Sequence, residues 1–290
     1  MVLRKEVKAM NNRVERTNNL IKKEKNGSIG RSSSKGGYYD VYYTQNKYSV
    51  EKPFEYVVNY YHDFFRGIPF LSLNKLLAEN GADLNGKTVL IASSGSGIDA
   101  YYLKKMYPSV TMFFSDVNFA GMEKLRSNFQ FEPAALTDNL CLSFKDSSFD
   151  YVLIAASLHH LKEPVRGLYE LLRVAKSGVI VIEPNDSWLA RLFGKLGLAH
   201  EYEIPHSNYV YRFSKREIEK ISNALFLKHK VKCLFAVHRV AKTRVEFLFL
   251  RLLNGLANLF CPNQGNYIIF LIKKEKDIPK CFKNADIDHT

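Results

Sequence analysis

A short apolar run, Val89-Leu90-Ile91-Ala92, gives way to Ser93-Ser94-Gly95-Ser96-Gly97 and then to a helix-compatible stretch from Ile98. A strand that ends in a Gly-x-Gly turn and feeds a helix lets the backbone turn sharply at positive φ. It also lets a ligand lie close, with no Cβ in the way. The helix start behind it offers free N–H groups and a partial positive charge. Asp116 lies 19 residues after Gly97, at the end of a second apolar run, Phe113-Phe114-Ser115-Asp116. A carboxylate there can accept both hydroxyl hydrogens of a ribose. Gly95-Ser96-Gly97-Ile98-Asp99-Ala100 satisfies the Gly-x-Gly-x-x-Gly/Ala dinucleotide pattern, so these residues alone fit NAD and S-adenosylmethionine equally. Further on, His159 and His160 follow a later apolar strand, where a group titrating near neutral pH can act as general base. No cluster of Cys, His, Asp and Glu has metal-ligand spacing, and no metal is expected.

The elements that must hold these residues alternate. Strands are expected over Lys87–Ala92, Val110–Phe114, Tyr151–Ala156 and Gly178–Ile182. Helices are expected over Ile98–Met106, Phe119–Arg126 and Glu163–Ala175, the last with Leu168, Leu171 and Leu172 inside. Short apolar strands alternating with helices predict a parallel sheet covered on both faces. Before them, Pro69–Glu79 reads as a helix with Leu71, Leu73, Leu76 and Leu77 as its apolar side and Asn80-Gly81 as its stop. After them, Ser214-Lys215-Arg216-Glu217 is a capping box opening another helix. Strands over Val231–Val237 and Tyr267–Ile272 flank a very apolar helix, Arg244–Phe260, which predicts an antiparallel edge on a mostly parallel sheet. That helix carries Val245, Leu248, Phe249, Leu252, Leu253, Leu256 and Phe260 at helical spacing, with Phe247, Leu250 and Leu259 in addition. At about 25 Å it is too short to span a bilayer, and it is read as a lid packed on the protein, with an interfacial or lipid-acceptor surface as the alternative.

Three further blocks decide between the two cofactors. They are Leu136-Thr137-Asp138-Asn139-Leu140-Cys141-Leu142-Ser143-Phe144, then Ser148-Phe149-Asp150-Tyr151-Val152, then Ser157-Leu158-His159-His160-Leu161. With Arg173 to Gly178 and Val181-Ile182-Glu183-Pro184, they resemble the successive blocks of class I S-adenosylmethionine-dependent methyltransferases, the type 11 group above all. The likeness runs from about Gly86 to Asn185. It implies a Rossmann-like, doubly wound α/β fold: a mostly parallel seven-stranded sheet with an antiparallel last strand and an added helical lid. It further implies that Ser93, Gly95 and Gly97 lie against the methionine part of S-adenosylmethionine and that Asp116 holds the ribose. Val117 then packs on the adenine, and Asp138 accepts the adenine amino group with Asn139 beside it. Two positions depart from the family pattern, Ile91 in place of an acid and Ser93 in place of a glycine. The expected activity is methyl transfer, as O-methylation, to a small-molecule, saccharide or lipid-linked acceptor. The alternative class is a non-catalytic adenosine-ligand binder of the same fold.

Length and composition bound the rest. The chain has 290 residues, 46% hydrophobic, enough for a full core, which excludes a disordered or disulfide-stapled chain. The net charge is +13, and Met1–Gly36 alone holds ten Lys/Arg against three Glu, a net +7. Residues 1–36 are therefore read as a flexible basic tail and 37–274 as the methyltransferase domain. Within it, 38–80 forms an aromatic-rich helical lid, 86–184 the cofactor core and 185–265 the acceptor and lid elements, with 275–290 as a C-terminal tail. Four dispersed cysteines are expected as thiols. The first thirty residues show no signal-peptide stretch and no apolar run reaches about 18 residues. The expected location is cytoplasmic, with peripheral contact to the membrane's inner face, and no specific nucleic-acid binding.

Overall fold

In the computed structural model, residues 60–95, 97–128, 134–195, 202–203, 208–236 and 243–276 are described. The expectations for the basic tail, the aromatic segment before residue 60, Val237, Cys281 and the C-terminal tail lie outside them, apart from the last residues of the final strand. In chain order the elements are α1 (Tyr60–Glu79), β1 (Thr88–Ala92), α2 (Ile98–Met106), β2 (Thr111–Asp116), α3 (Phe119–Asn128), β3 (Ala134–Leu136) and β4 (Phe149–Ala155). A 3₁₀ turn over Leu158–His160 precedes α4 (Pro164–Val174), β5 (Ala175–Pro184) and α5 (Trp188–Lys195). A short hairpin, β6 (Tyr202–Glu203) and β7 (Asn208–Tyr209), leads to α6 (Lys215–Ala224), β8 (Leu227–Leu234), α7 (Arg244–Phe260) and β9 (Tyr267–Lys276).

The main sheet runs β3-β2-β1-β4-β5-β9-β8. The first five strands are mutually parallel. Their apolar runs are continuous because both faces are buried. Val89 and Ile91 enter one core with Leu73 and Leu77 of α1 and Leu103 of α2. Leu90 and Ala92 enter the other with Leu168 and Leu171 of α4 and Ile218 of α6. The Ser214–Glu217 capping box is formed at the start of α6.

Two expectations need correction, whereas the antiparallel edge is as expected: β9 pairs antiparallel with both β5 and β8, and β8 is the outermost strand. Burial decides this: Ile268 to Ile272 are all fully buried, whereas β8, Leu-Lys-His-Lys-Val-Lys-Cys-Leu, alternates and carries the lysines that suit an edge. First, α1 begins at Tyr60 and contains Pro69 rather than starting there. The packing of Phe70, Leu73, Leu76 and Leu77 outweighs a backbone cost of about 3 kcal/mol for an interior proline, while Leu71 is exposed. Second, α7 packs on the protein by a narrower face than a lid would. Only Phe247, Leu250 and Asn254 of it are buried, and the longer apolar stripe faces away from the protein. No helix among the described residues is long and apolar enough to cross a membrane.

Candidate active site

Strand order reverses between β1 and β4, so the loop after β1 opens at the switch point of the sheet, where α/β folds leave a crevice. Ser93, Gly95 and Gly97 all take positive φ, 51°, 50° and 90°. The loop is pinned to the neighbouring strand by the Ser94 N–H, which donates to Ser115 O at 3.0 Å. It is clamped by Asp116, whose Oδ2 accepts the Gly95 N–H and whose Oδ1 accepts the Asn118 N–H, both at 2.8 Å. The carboxylate offers about four lone-pair directions, so acceptor capacity remains beside these bonds. Burial raises the Asp116 pKa above the ordinary carboxylate value, against the pull of the Gly95, Asn118 and Val117 backbone donors. Val117, beside it, is half exposed, as an adenine platform requires.

The segment after β3 approaches the same loop from the other side. Asn139 is buried, and its Nδ2 donates to Ser93 Oγ at 2.7 Å. The Ser93 hydroxyl is thus a tether between the glycine loop and the segment after β3, and Ser93 adopts the left-handed backbone a glycine would take. Asp138 is exposed, with Oδ1 accepting the Leu140 N–H at 2.9 Å in its own turn. Arg173 on α4 fixes this segment. It donates to Leu142 O and Phe144 O at 2.9 Å, to Asp146 at 2.7 Å, and to both carboxylate oxygens of Glu170. The hydrogen bond from Arg173 holds the Glu170 carboxyl below its usual pKa. Arg173→Lys, which keeps the charge but loses the planar fork, is expected to lower stability by about 1–2 kcal/mol. It should also weaken S-adenosylmethionine binding with no contact to the ligand, as calorimetry beside a urea titration would show. Unchanged binding would mean that this segment does not shape the site.

His159 and His160 come together with Glu183, which in the sequence is just one residue of Val181-Ile182-Glu183-Pro184. Glu183 is fully buried at the end of β5. Its Oε1 accepts the N–H groups of Ser157 and Leu158, each at 2.7 Å, and Oε2 lies 2.6 Å from His159 Nδ1. His159 is buried, His160 half-buried, and their ring centroids are 4.1 Å apart. Strand β7 lies against this turn and carries Tyr209, which is exposed. Glu183 could have been found from its place at the C-terminal end of a parallel strand. Asn118 was also missed. Its Oδ1 accepts the Gly121 N–H at 2.8 Å, the cap geometry that an Asn just before a helix signals.

The test of whether S-adenosylmethionine fits lies in what is left unsatisfied. Buried polar atoms nearly always have partners. Ser115 Oγ, Asn118 Nδ2 and Asn139 Oδ1 are buried with none. A donor on Asn118 and an acceptor on Asn139, on either side of the glycine loop, suit a nucleoside that carries both. Ile91, the other departure from the family pattern, is fully buried in the core, and the loop takes its acidic anchor from Asp116 instead. The residues therefore fit the cofactor. Among the described residues no group of three or more His, Cys, Asp or Glu is placed to hold a metal ion.

Residues 90–182 match the family model described as a methyltransferase domain. Two curated relatives are ubiquinone/menaquinone biosynthesis C-methyltransferases UbiE, from Burkholderia mallei (strain SAVP1) and Burkholderia thailandensis. Each is 28% identical over 118 residues, covering 39% of this chain and 49% of the relative. The chain thus spans about half the length of the curated relatives it matches. The YcgJ protein of Bacillus subtilis has a similar fold, with a TM-score of 0.50 at 17% identity over 71% of this chain and 99% of that one. A methyltransferase from Thermotoga maritima, described as S-adenosylmethionine-dependent and a possible histamine N-methyltransferase, aligns at a TM-score of 0.49 and 19% identity, over 77% and 98% of the two chains.

Proposed function

We propose, for a chain whose residues 90–182 form a class I S-adenosylmethionine-dependent methyltransferase domain, that it transfers the cofactor's methyl group to a hydroxyl of a small-molecule, saccharide or lipid-linked acceptor. The observation that carries this is the loop clamp, with Asp116 gripping Gly95 and Asn118, beside buried Asn118 and Asn139 atoms that have no partner. Asp116 would hold the ribose, Val117 the adenine face, Asn139 and Asp138 the adenine edge, and Ser93, Gly95 and Gly97 the methionine part. When bound, the cofactor supplies an electrophilic methyl carbon on a sulfonium, and the work of the protein is largely alignment and exclusion of water.

Support for oxygen as the attacking atom comes from the histidine pair. A hydroxyl must lose its proton as the new C–O bond forms and the C–S bond breaks. With Nδ1 donating to Glu183, His159 is held in the tautomer whose basic nitrogen is Nε2. His160, its ring tilted against that of His159, and Tyr209 would line the acceptor side. The UbiE relatives, named as C-methyltransferases, favour a second reading, methylation of an activated ring carbon.

One experiment separates these readings. The full chain is incubated with cell extracts and S-adenosylmethionine carrying a carbon-13 methyl group, and products are read by NMR. A methoxy resonance supports the hydroxyl acceptor, whereas a methyl on carbon replaces it with the second reading. Loss of His159 by His159→Ala is expected to lower the O-methylation rate by about 10²–10⁴-fold with cofactor affinity retained. Absence of cofactor binding by calorimetry would remove the methyltransferase reading and leave an interaction protein of the same fold.

A further inference from the structure

We propose that α7, together with the start of α5, docks the protein on an anionic phospholipid surface, with the mouth of the active site turned toward it. This does not depend on the reaction proposed above. Eight large apolar side chains of α7 are 42–77% exposed. They include Val245, Phe249, Leu252, Leu256, Leu259 and Phe260, and at 3.6 residues per turn all eight fall within about 140° of the circumference. Monomeric soluble proteins rarely leave so continuous an apolar patch in water, and when they do it marks a binding surface. Arg244 and Arg251 lie along one border of this arc and Glu246 along the other, in the first turn next to the Thr243 cap. An apolar arc edged by arginines is the pattern of a helix lying in the headgroup layer, with guanidinium groups reaching the phosphates. Seventeen residues are too few to cross a bilayer but ample to lie on one.

Charge decides between a membrane and a second copy. The chain carries +13, with +7 of it in Met1–Gly36, so two copies repel one another while an anionic surface attracts both helix and tail.

The topology places this face at the active-site end of the sheet. α7 runs between the end of β8 and the start of β9, and Leu234 and Pro184 both pair with Tyr267 there. That is the carboxyl end of β5 and hence of β1, β2 and β4, where the glycine loop and the histidine turn lie. Asn258 ties α7 to Phe235, accepting its N–H and donating to its carbonyl at 2.8 and 2.7 Å. Beyond α7, Asn185 Nδ2 donates to Gly265 O at 2.7 Å, and the Trp188 N–H donates to Gln264 Oε1 at 3.1 Å. Trp188, 53% exposed at the start of α5, is therefore held next to the segment that follows α7. A face in this position would admit an acceptor that arrives in the membrane.

The test uses the full chain and vesicles of phosphatidylcholine with and without phosphatidylserine. Trp188 is the only tryptophan in the sequence, so its emission reports the docked face without a label. Expected are co-sedimentation with the phosphatidylserine vesicles, weakened by salt, and a blue shift of Trp188 with protection from aqueous quenchers. Phe249→Ser with Leu252→Ser, both at exposed positions, should weaken partitioning at least about tenfold while leaving thermal unfolding unchanged. Lys22→Gln, Lys23→Gln and Lys25→Gln together should chiefly flatten the salt dependence. Quenching by lipid-borne quenchers in the wild-type chain gives a reading that needs no variant. Failure to bind anionic vesicles at low salt overturns the proposal, as does binding that the Phe249/Leu252 variant leaves intact. A chain that is dimeric in solution, and monomeric as that variant, assigns the face to a second copy instead.

Discussion

Glu183→Ala is expected to lower the unfolding free energy by about 3–5 kcal/mol, read from urea titration, because it removes the acceptor from three donors, two of them on buried residues. Two are the backbone N–H groups of Ser157 and Leu158, at 2.7 Å, and the third is His159 Nδ1, at 2.6 Å. Glu183 has no exposed surface, and Leu158 and His159 are buried beside it. Glu183→Gln separates stability from catalysis. Its carbonyl oxygen still serves the two backbone donors, but its amide turns an N–H toward His159. The imidazole must then present Nδ1 as acceptor and carry its proton on Nε2, which is the wrong tautomer for a base. The Gln variant should keep more stability than the Ala variant and bind S-adenosylmethionine normally, yet lose about 10²–10⁴-fold in turnover of a hydroxyl acceptor. Full turnover in the Gln variant would remove His159 from the base role. A wild-type urea midpoint for the Ala variant would show that this carboxylate does not brace the turn.

Asp116→Ala is expected to weaken S-adenosylmethionine binding at least about 100-fold, since charge-assisted bonds contribute roughly 1.5–3 kcal/mol each before compensation. The same change also releases the Gly95 and Asn118 backbone groups that shape the loop. pH gives a second reading of the same residue. Burial leaves the folded-state pKa of Asp116 above that of the unfolded chain. An acid raised on folding contributes stability that is complete below the unfolded pKa and is lost as pH climbs through the folded one. The ligand-free protein should lose that contribution over this window. Binding runs the other way, because ribose hydroxyls donate to the ionised carboxylate. Affinity should therefore rise with pH through the raised pKa, with proton release on binding. Calorimetry across mildly acidic buffers of different ionisation heats measures both. An affinity flat over that range, or an Asp116→Ala protein that binds as tightly as wild type, would take the ribose away from Asp116.

Much of the cofactor side was legible because local patterns carry it. A Gly-x-Gly between an apolar strand and a helix needs only neighbours in sequence to be recognised, and Asp116 declares itself by ending the next strand. What the pattern did not reveal was the direction of the bonds. Asp116 holds the glycine loop through the Gly95 N–H, and Ser93 is tied to Asn139 across 46 residues of chain. Among the two residues after β3, Asp138 is the exposed one, bonded within its own turn, and Asn139 the buried one. Side-chain type alone pointed to the acid.

By itself the sequence determined the alternation of strands and helices, the capping box at Ser214, the span of α7 and the position of the glycine loop. Each follows from periodicity, caps and turn chemistry within a few residues. Tertiary structure alone decided where β9 enters the sheet, because an all-apolar strand can be central or not until its neighbours are known. It paired Glu183 with His159, 24 residues apart, since two parallel strand ends bring them side by side. It also decided which face of α7 meets the protein. Helical spacing yields a stripe, but contact with the body of the fold falls to Phe247, Leu250 and Asn254, and the broader stripe remains in water. Periodicity reports that a surface is apolar, and only packing tells what lies against it.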